Sequence, residues 1–346
     1  MEKAKVYFTD FKCGHGESLP RKLERLVKKA GIENIDFKDK FVAIKIHFGE
    51  PGNMAYLRPQ YAKVLCDLIK EKGGKPFLTD CNTLYVGGRK NALDHLEAAQ
   101  LNGYNPLPTG VQCIIADGLT GTEERLVPVE NGEYVQEAKI GSALMDADIV
   151  ISLTHFKGHV SAGFGGALKN IGMGGGSRRG KLEMHNAGTP MVFTDRCIGC
   201  GRGMAVGPKD AINTKWNQAK DVLNYKIAEY SWAILNGRPN FHVSLVVDVS
   251  PNCDCEGSND IPIIPDVGMF ASFDPVALDQ ACFDACNQQP LMPGSMVYTE
   301  ENCQLCAEGP HDLFVMNHPG TKGVAALEHG EKLGMGTREY ELITMK

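Results

Sequence analysis

Short apolar, β-branched runs alternate along this chain with longer stretches whose apolar residues recur every three to four positions. Residues 4–9, 41–47, 76–79, 112–116 and 149–153 read as strands. Residues 58–72 read as a helix, with Tyr61, Val64, Leu65 and Leu68 in one stripe and Gly73 closing its end. The pattern resumes with a helix over 222–235, where Leu223, Ile227, Tyr230 and Ile234 share a face. A strand over 242–249 and a last helix over 321–333 follow. Alternation of this kind predicts an α/β fold, a mostly parallel sheet with helices on both faces. Residues 171–218 are rich in Gly and lack apolar periodicity, so they read as an insertion between two parts of one domain.

At 346 residues, 43% of them hydrophobic and 23% charged, the chain can bury a full core as one large unit or two ordinary domains. A net charge of −6 with no basic run gives no electrostatic support for a nucleic-acid partner. The opening MEKAKVYFTDF has no apolar signal segment, and no stretch is long enough to span a membrane. A cytoplasmic protein with no membrane partner is the expectation. Its 12 cysteines then need an explanation other than disulfides. Cys282 and Cys286 stand with Leu278 at helical spacing after Asp274-Pro275 and read as core, as do Cys66 and Cys113. Cys13, Cys81 and the close pairs Cys197/Cys200, Cys253/Cys255 and Cys303/Cys306 remain.

Cys197-Ile-Gly-Cys200-Gly-Arg-Gly203-Met-Ala-Val-Gly207-Pro208 is half of a ferredoxin-type loop, C-x2-C-x2-C-x3-C-P. The first two thiols and the proline are in register, while Gly203 and Gly207 take the third and fourth ligand positions. The chain thus divides into a first α/β part at 1–190, a small, degenerate ferredoxin-like insertion at 191–214, and a second α/β part at 215–346. Missing cluster ligands can come from Cys303/Cys306, making a four-thiolate site for an iron–sulfur cluster, zinc or iron. They can come from a second copy in a homodimer, or the site can stay incomplete.

Ligands of open parallel sheets bind at the carboxyl ends of strands. Here the predicted strands run into polar loops: His47 to Asn53, Asp80-Cys81-Asn82-Thr83, Thr154-His155-Phe156-Lys157-Gly158-His159, and Ser250-Pro251-Asn252-Cys253-Asp254-Cys255. On one edge these loops predict a pocket holding His47, Asp80, His155, Lys157, His159 and the Cys253/Cys255 pair. His155 and His159 miss the zincin spacing because Phe156 stands in the Glu position. The glycine run from Gly163 to Lys181, with Lys169 and Asn170, reads as an anion cradle. Its G-x4-G-K match at Gly175 to Lys181 is not a P-loop, since Leu182 replaces Ser or Thr and no strand precedes it. In an extended loop Cys253 and Cys255 face the same way, so with a nearby His or Asp they can hold one metal ion.

Thr79-Asp80-Cys-Asn82-Thr83-Leu84-Tyr85, Thr154 to His159, Gly163 to Gly174, Met184-His185, Pro251 to Cys255, Asp274-Pro275-Val276-Ala277-Leu278-Asp279 and Gly334-Met-Gly336-Thr-Arg338-Glu339-Tyr340 together resemble domain-of-unknown-function family 362. The resemblance implies an α/β domain interrupted by a ferredoxin-type segment with a 4Fe–4S cluster, and a role in handling electrons. Only Cys197 and Cys200 carry over as cluster positions. The expectation is an iron–sulfur or redox-associated protein whose insert passes electrons to or from the pocket. There His155, Lys157, His159 and Asp80 bind or protonate a small anionic substrate, Lys169 and Asn170 hold it, and a redox protein is the alternative partner. The competing readings are a mononuclear zinc or iron enzyme without redox chemistry, built on Cys253/Cys255, and a binding protein that has lost the cluster.

Overall fold

A computed structural model describes residues 3–85, 87–187, 191–192, 212–213 and 215–345. The strands β1 (Ala4–Thr9), β2 (Phe41–Lys45), β3 (Lys75–Asp80), β4 (Cys113–Ile115), β5 (Ile149–His155), β6 (Asn240–Val246), β7 (Gly268–Ser272) and β8 (Tyr340–Thr344) form one 8-stranded sheet in the order β8-β1-β7-β6-β5-β2-β3-β4. Both long parts of the chain feed this sheet. All neighbours are parallel except β7, which is antiparallel to β1 and β6. The chain returns from β6 to β7 through a loop rather than a crossover helix, so only antiparallel pairing is open to it. Neither β7 nor β8 is among the strands read from the hydrophobic pattern.

Alternation along the strands sorts the core onto the two faces. Val42, Ile44, Ile151 and Leu153 pack with Leu23, Leu26, Leu65 and Ile69 of the helices Leu19–Lys29 and Pro59–Glu71. Ala43 and Val150 pack oppositely with Ile171, Ile227 and Ile234, from the helices Ala167–Gly175 and Lys220–Leu235. Strand β5 is buried along its whole length, as a central parallel strand covered on both faces must be. Among the described residues, no helix is long and apolar enough to cross a membrane.

The irregular insertion expected over 171–218 does not begin where expected. Helix Ala167–Gly175 and a second helix, Arg178–His185, occupy its first part. Glycine is there for close approach, not for flexibility. A Cβ on Gly172 would lie 2.2 Å from the Ile227 carbonyl oxygen and 2.6 Å from Ser231 Oγ. Gly172→Ala should therefore destabilise the fold by about 1–3 kcal/mol, outweighing the ~1 kcal/mol that alanine gains in a helix, because the obstacle is backbone. Urea unfolding would show it; a variant as stable as wild type would mean that the two helices can part freely. Asp279 fixes the other end of the same helix, accepting from the N–H groups of Ala167 (2.6 Å) and Leu168 (3.0 Å).

The segment carrying the half motif is tied down at its flanks. Met191–Val192 pairs antiparallel with Ile212–Asn213. Lys215 N–H donates to Asn186 Oδ1 at 2.8 Å, Ala187 N–H to Asn217 Oδ1 at 3.0 Å, and Gln218 N–H to the His185 carbonyl at 3.2 Å. Cys197, Cys200, Gly203 and Gly207 lie outside the described residues.

Candidate metal centre and anion pocket

At the carboxyl ends of β2, β3 and β5, the loops enclose a cavity of about 360 Å³. His47, Asp80, Lys157, His159, Lys169, Asn170, Cys253 and Cys255 all line it, together with Lys45, Cys81, Tyr85, Arg89, Lys181, His185 and Trp216. The loops hold one another in place. Glu50 N–H donates to the Asp254 carbonyl at 2.8 Å, Asn53 Nδ2 to the Glu256 carbonyl at 2.9 Å, and Gly158 N–H to the Ser250 carbonyl at 2.9 Å. The glycines make room for the cations: a Cβ on Gly174 would sit 2.3 Å from Lys45 Nζ, and one on Gly165 would sit 3.2 Å from Lys157 Cε.

One ring nitrogen of His159 and the sulfurs of Cys253 and Cys255 lie within 4.8 Å of one another. One imidazole and two thiols suit a thiophilic ion such as zinc. Cys255 donates its S–H to Cys253, which, with Lys169 and Lys157, outweighs burial and holds the Cys253 thiol well below its ordinary range. Cys255 is pushed up correspondingly, by that bond and by burial. Lys169 Nζ stands 3.8 Å from Cys253 Sγ. Asp254, between the cysteines, points away and is fully buried. His155 Nδ1 lies 2.8 Å from it and Lys157 Nζ 3.3 Å. Burial alone would raise its pKa, but His155 and Lys157 prevail and hold it below the usual carboxylate range.

His155 therefore does not face the cavity, contrary to expectation. Its Nε2 lies 2.8 Å from the Val247 carbonyl, so both ring nitrogens are engaged behind the wall. Strand β5 ends at His155, and Lys157–His159 begins a separate ribbon with Gly163–Gly165, which turns the later side chains toward the cavity. Asn170 lines the cavity but works as a bracket. Its Nδ2 lies 3.1 Å from the Lys45 and Leu153 carbonyls, and its Oδ1 accepts from Lys45 Nζ at 3.0 Å. Cys303 and Cys306 are elsewhere, on the helix Glu300–Glu308, packed against the apolar cluster that includes Phe156 and Phe314.

The three imidazoles that line the cavity, His47, His159 and His185, are neutral. Burial, then nearby Arg89 and the lysines, push His47 well below its ordinary value, and burial with Lys169 does the same for His159. Burial, then Lys169 and Lys181, push His185 down to about 3. The Nδ1 of His47 accepts from Gly49 N–H at 3.0 Å, and that of His159 from Ser161 and Ala162 N–H at 3.1 and 2.9 Å. In both rings the proton therefore sits on Nε2.

A buried ion network that the sequence analysis did not find forms another part of the wall, beside the cysteine loop. Arg89 Nε donates to Glu50 at 2.8 Å, and its Nη1 reaches Asp80 at 3.5 Å. Lys45 Nζ pairs with Asp80 at 2.9 Å. Lys45 is a lone charge in an apolar strand run, which is a usable signal. Arg89 follows Gly87-Gly88 in a stretch with no periodicity, and nothing local marks it.

Residues 42–284 match the sequence model of the family described as domain of unknown function (DUF362). A thylakoid-associated protein of Synechocystis sp. is 27% identical over 127 residues, covering 35% of this chain and 34% of that protein. The chain thus spans about a third of the length of this curated relative. The lactate racemase apoprotein of Thermoanaerobacterium thermosaccharolyticum superposes with a TM-score of 0.39 at 13% identity, covering 71% of this chain and 51% of the other. A structural-genomics protein of Thermotoga maritima gives 0.41 at 14% identity, over 84% and 58%.

Proposed function

The chain belongs to the DUF362 family, and from that premise we propose that it holds a thiophilic metal ion on Cys253, Cys255 and His159 and brings a small anion to it. The observation that carries this reading is the meeting of an imidazole and two thiols, one of them a stabilised thiolate, on the wall of a lysine-lined cavity. The two sulfurs are the main anchors. His159 is the weaker ligand: as a neutral imidazole it can bind through Nε2 only if the ring proton moves to Nδ1, which must then release the Ser161 and Ala162 N–H groups it accepts from. A metal ion bound there supplies a Lewis acid for the oxygens of the anion. Lys169 attracts the anion, the neutral His47 offers it an N–H, and Lys157 keeps Asp254 and its loop in place.

A second reading is favoured by one observation. His185 and Trp216 line the cavity and pack edge-on at 4.5 Å, and the chain on either side of residues 193–211 docks at them. In this reading the α/β unit of 1–190 and 215–346 carries an iron–sulfur insert at 191–214, which exchanges electrons with the pocket. Such a cluster needs two thiolates beyond Cys197 and Cys200.

Metal and labile-sulfide analysis of anaerobically purified protein separates the two. The proposal expects about one metal ion per chain without sulfide. That metal should be lost in Cys253→Ser or Cys255→Ser and lost less completely in His159→Ala. Metal retained in the double serine variant, or no metal in wild type, overturns it. Iron with sulfide that survives Cys253→Ser but not Cys197→Ser favours the insert.

A further inference from the structure

Cations line this cavity, but they are not equally satisfied. An ammonium group carries three donors. Those of Lys45 meet Asp80 at 2.9 Å, Asn170 Oδ1 at 3.0 Å and the Ile46 carbonyl at 3.3 Å. Lys157 meets the His155 carbonyl at 2.9 Å and Asp254 at 3.3 Å. Lys169 has only the distant Cys253 sulfur at 3.8 Å. Lys181, though buried, has only the Gly176 carbonyl at 2.6 Å. Among the described residues, neither Lys169 nor Lys181 has a carboxylate partner within 4.0 Å. Asp80 and Asp117 lie in electrostatic range of Lys181 without pairing with it: Asp80 is held by Lys45 and Arg89, and Asp117 Oδ1 accepts the backbone and side-chain N–H groups of Asn82, both at 2.9 Å, while its buried Oδ2 has no hydrogen-bond partner.

We propose that the ligand carries two separate anionic groups joined by a short neutral spacer, with Lys169 taking one end and Lys181 the other. This rests on the reading of the cavity as an anion site. The lysines come from consecutive helices, Ala167–Gly175 and Arg178–His185, joined at Gly176-Ser177. His185, one helical turn beyond Lys181, shares its face and feels both charges. The uncharged His185 ring thus lies in reach of both ammonium groups, and Met173 and Trp216 line the same cavity. A dicarboxylate, or a carboxylate with a phosphoryl group at its far end, offers one anionic group to each ammonium. A monoanion held by the half-buried Lys169 would leave the buried Lys181 ammonium with unused donors, which is costly.

Calorimetric titration of metal-free and metal-loaded protein with propionate, malonate, succinate, glutarate and inorganic phosphate tests this. One dicarboxylate should bind at least about tenfold tighter than propionate, a gain of about 1.4 kcal/mol. Lys181→Met should bring that dicarboxylate to within about threefold of propionate, while metal content stays at the wild-type level. Loss of metal and loss of dicarboxylate preference are thus separate results. Equal binding of propionate and every dicarboxylate by the unaltered protein overturns the proposal, whether or not the variant folds. So does a preference that survives both Lys181→Met and Lys169→Met. Phosphate that binds tighter than all dicarboxylates and depends on Lys169 alone overturns it too, in favour of a single dianion subsite.

Discussion

Asp254→Ala should lower the stability of the protein by about 3–5 kcal/mol at neutral pH, because it strands two buried polar partners, and breaking one side of a buried pair has that magnitude. Asp254 is completely buried, and His155 at 2.8 Å and Lys157 at 3.3 Å both depend on it. Asp254→Asn keeps the shape and loses only the charge, so it should fall between the two. The sign of the pH dependence follows from the depressed carboxyl. Its pKa in the folded chain lies below the ordinary 3.8. The stabilisation is therefore complete above that unfolded value and drains away as pH falls toward the folded one. Urea unfolding at pH 7 and at about pH 3 should show wild type and Asp254→Asn converging in acid. A difference that is unchanged or larger in acid would sink the argument. Metal occupancy should fall with the alanine variant, since Asp254 fixes the loop from which Cys253 and Cys255 project.

The ends of the strands were legible because one rule governs them. Once β2, β3, β5 and β6 are parallel, their carboxyl ends must share an edge, and His47, Asp80, Lys157, His159, Cys253 and Cys255 arrive in one cavity although they span two hundred residues. What the pattern could not show was direction. His155 sits two residues before Lys157, but the chain changes partner between them, from β6 to the Gly163–Gly165 ribbon. Glycine was ambiguous for the same reason. The run 163–176 looks like a loop by composition, yet Gly172 serves helix packing and Gly174 leaves space for Lys45 Nζ. Cys303 and Cys306 had metal-ligand spacing and turned out one turn apart on a helix facing an apolar cluster. Spacing within a short segment does not say what the segment packs against.

Arg89 is the test of the part that sequence could not reach. Arg89→Met should destabilise the fold by about 3 kcal/mol, the lower end of the range for breaking a buried pair. The lower end applies because Asp80 keeps Lys45 at 2.9 Å. Glu50 is the residue left in difficulty: with the guanidinium gone it keeps only Gly88 N–H and the Tyr85 hydroxyl, itself 3.4 Å away. If that stranded carboxylate is the origin of the loss, Arg89→Met with Glu50→Gln should recover much of it, and the two substitutions will couple by more than about 1 kcal/mol in a double-mutant cycle. Additive losses would mean that Arg89 acts through packing alone and that the Glu50–Arg89–Asp80 chain is not a unit. With coupling present, this part of the wall is a rigid electrostatic frame. Its charges are already matched internally, whereas Lys169 and Lys181 have no carboxylate partner within 4.0 Å among the described residues, as the proposed anion site requires.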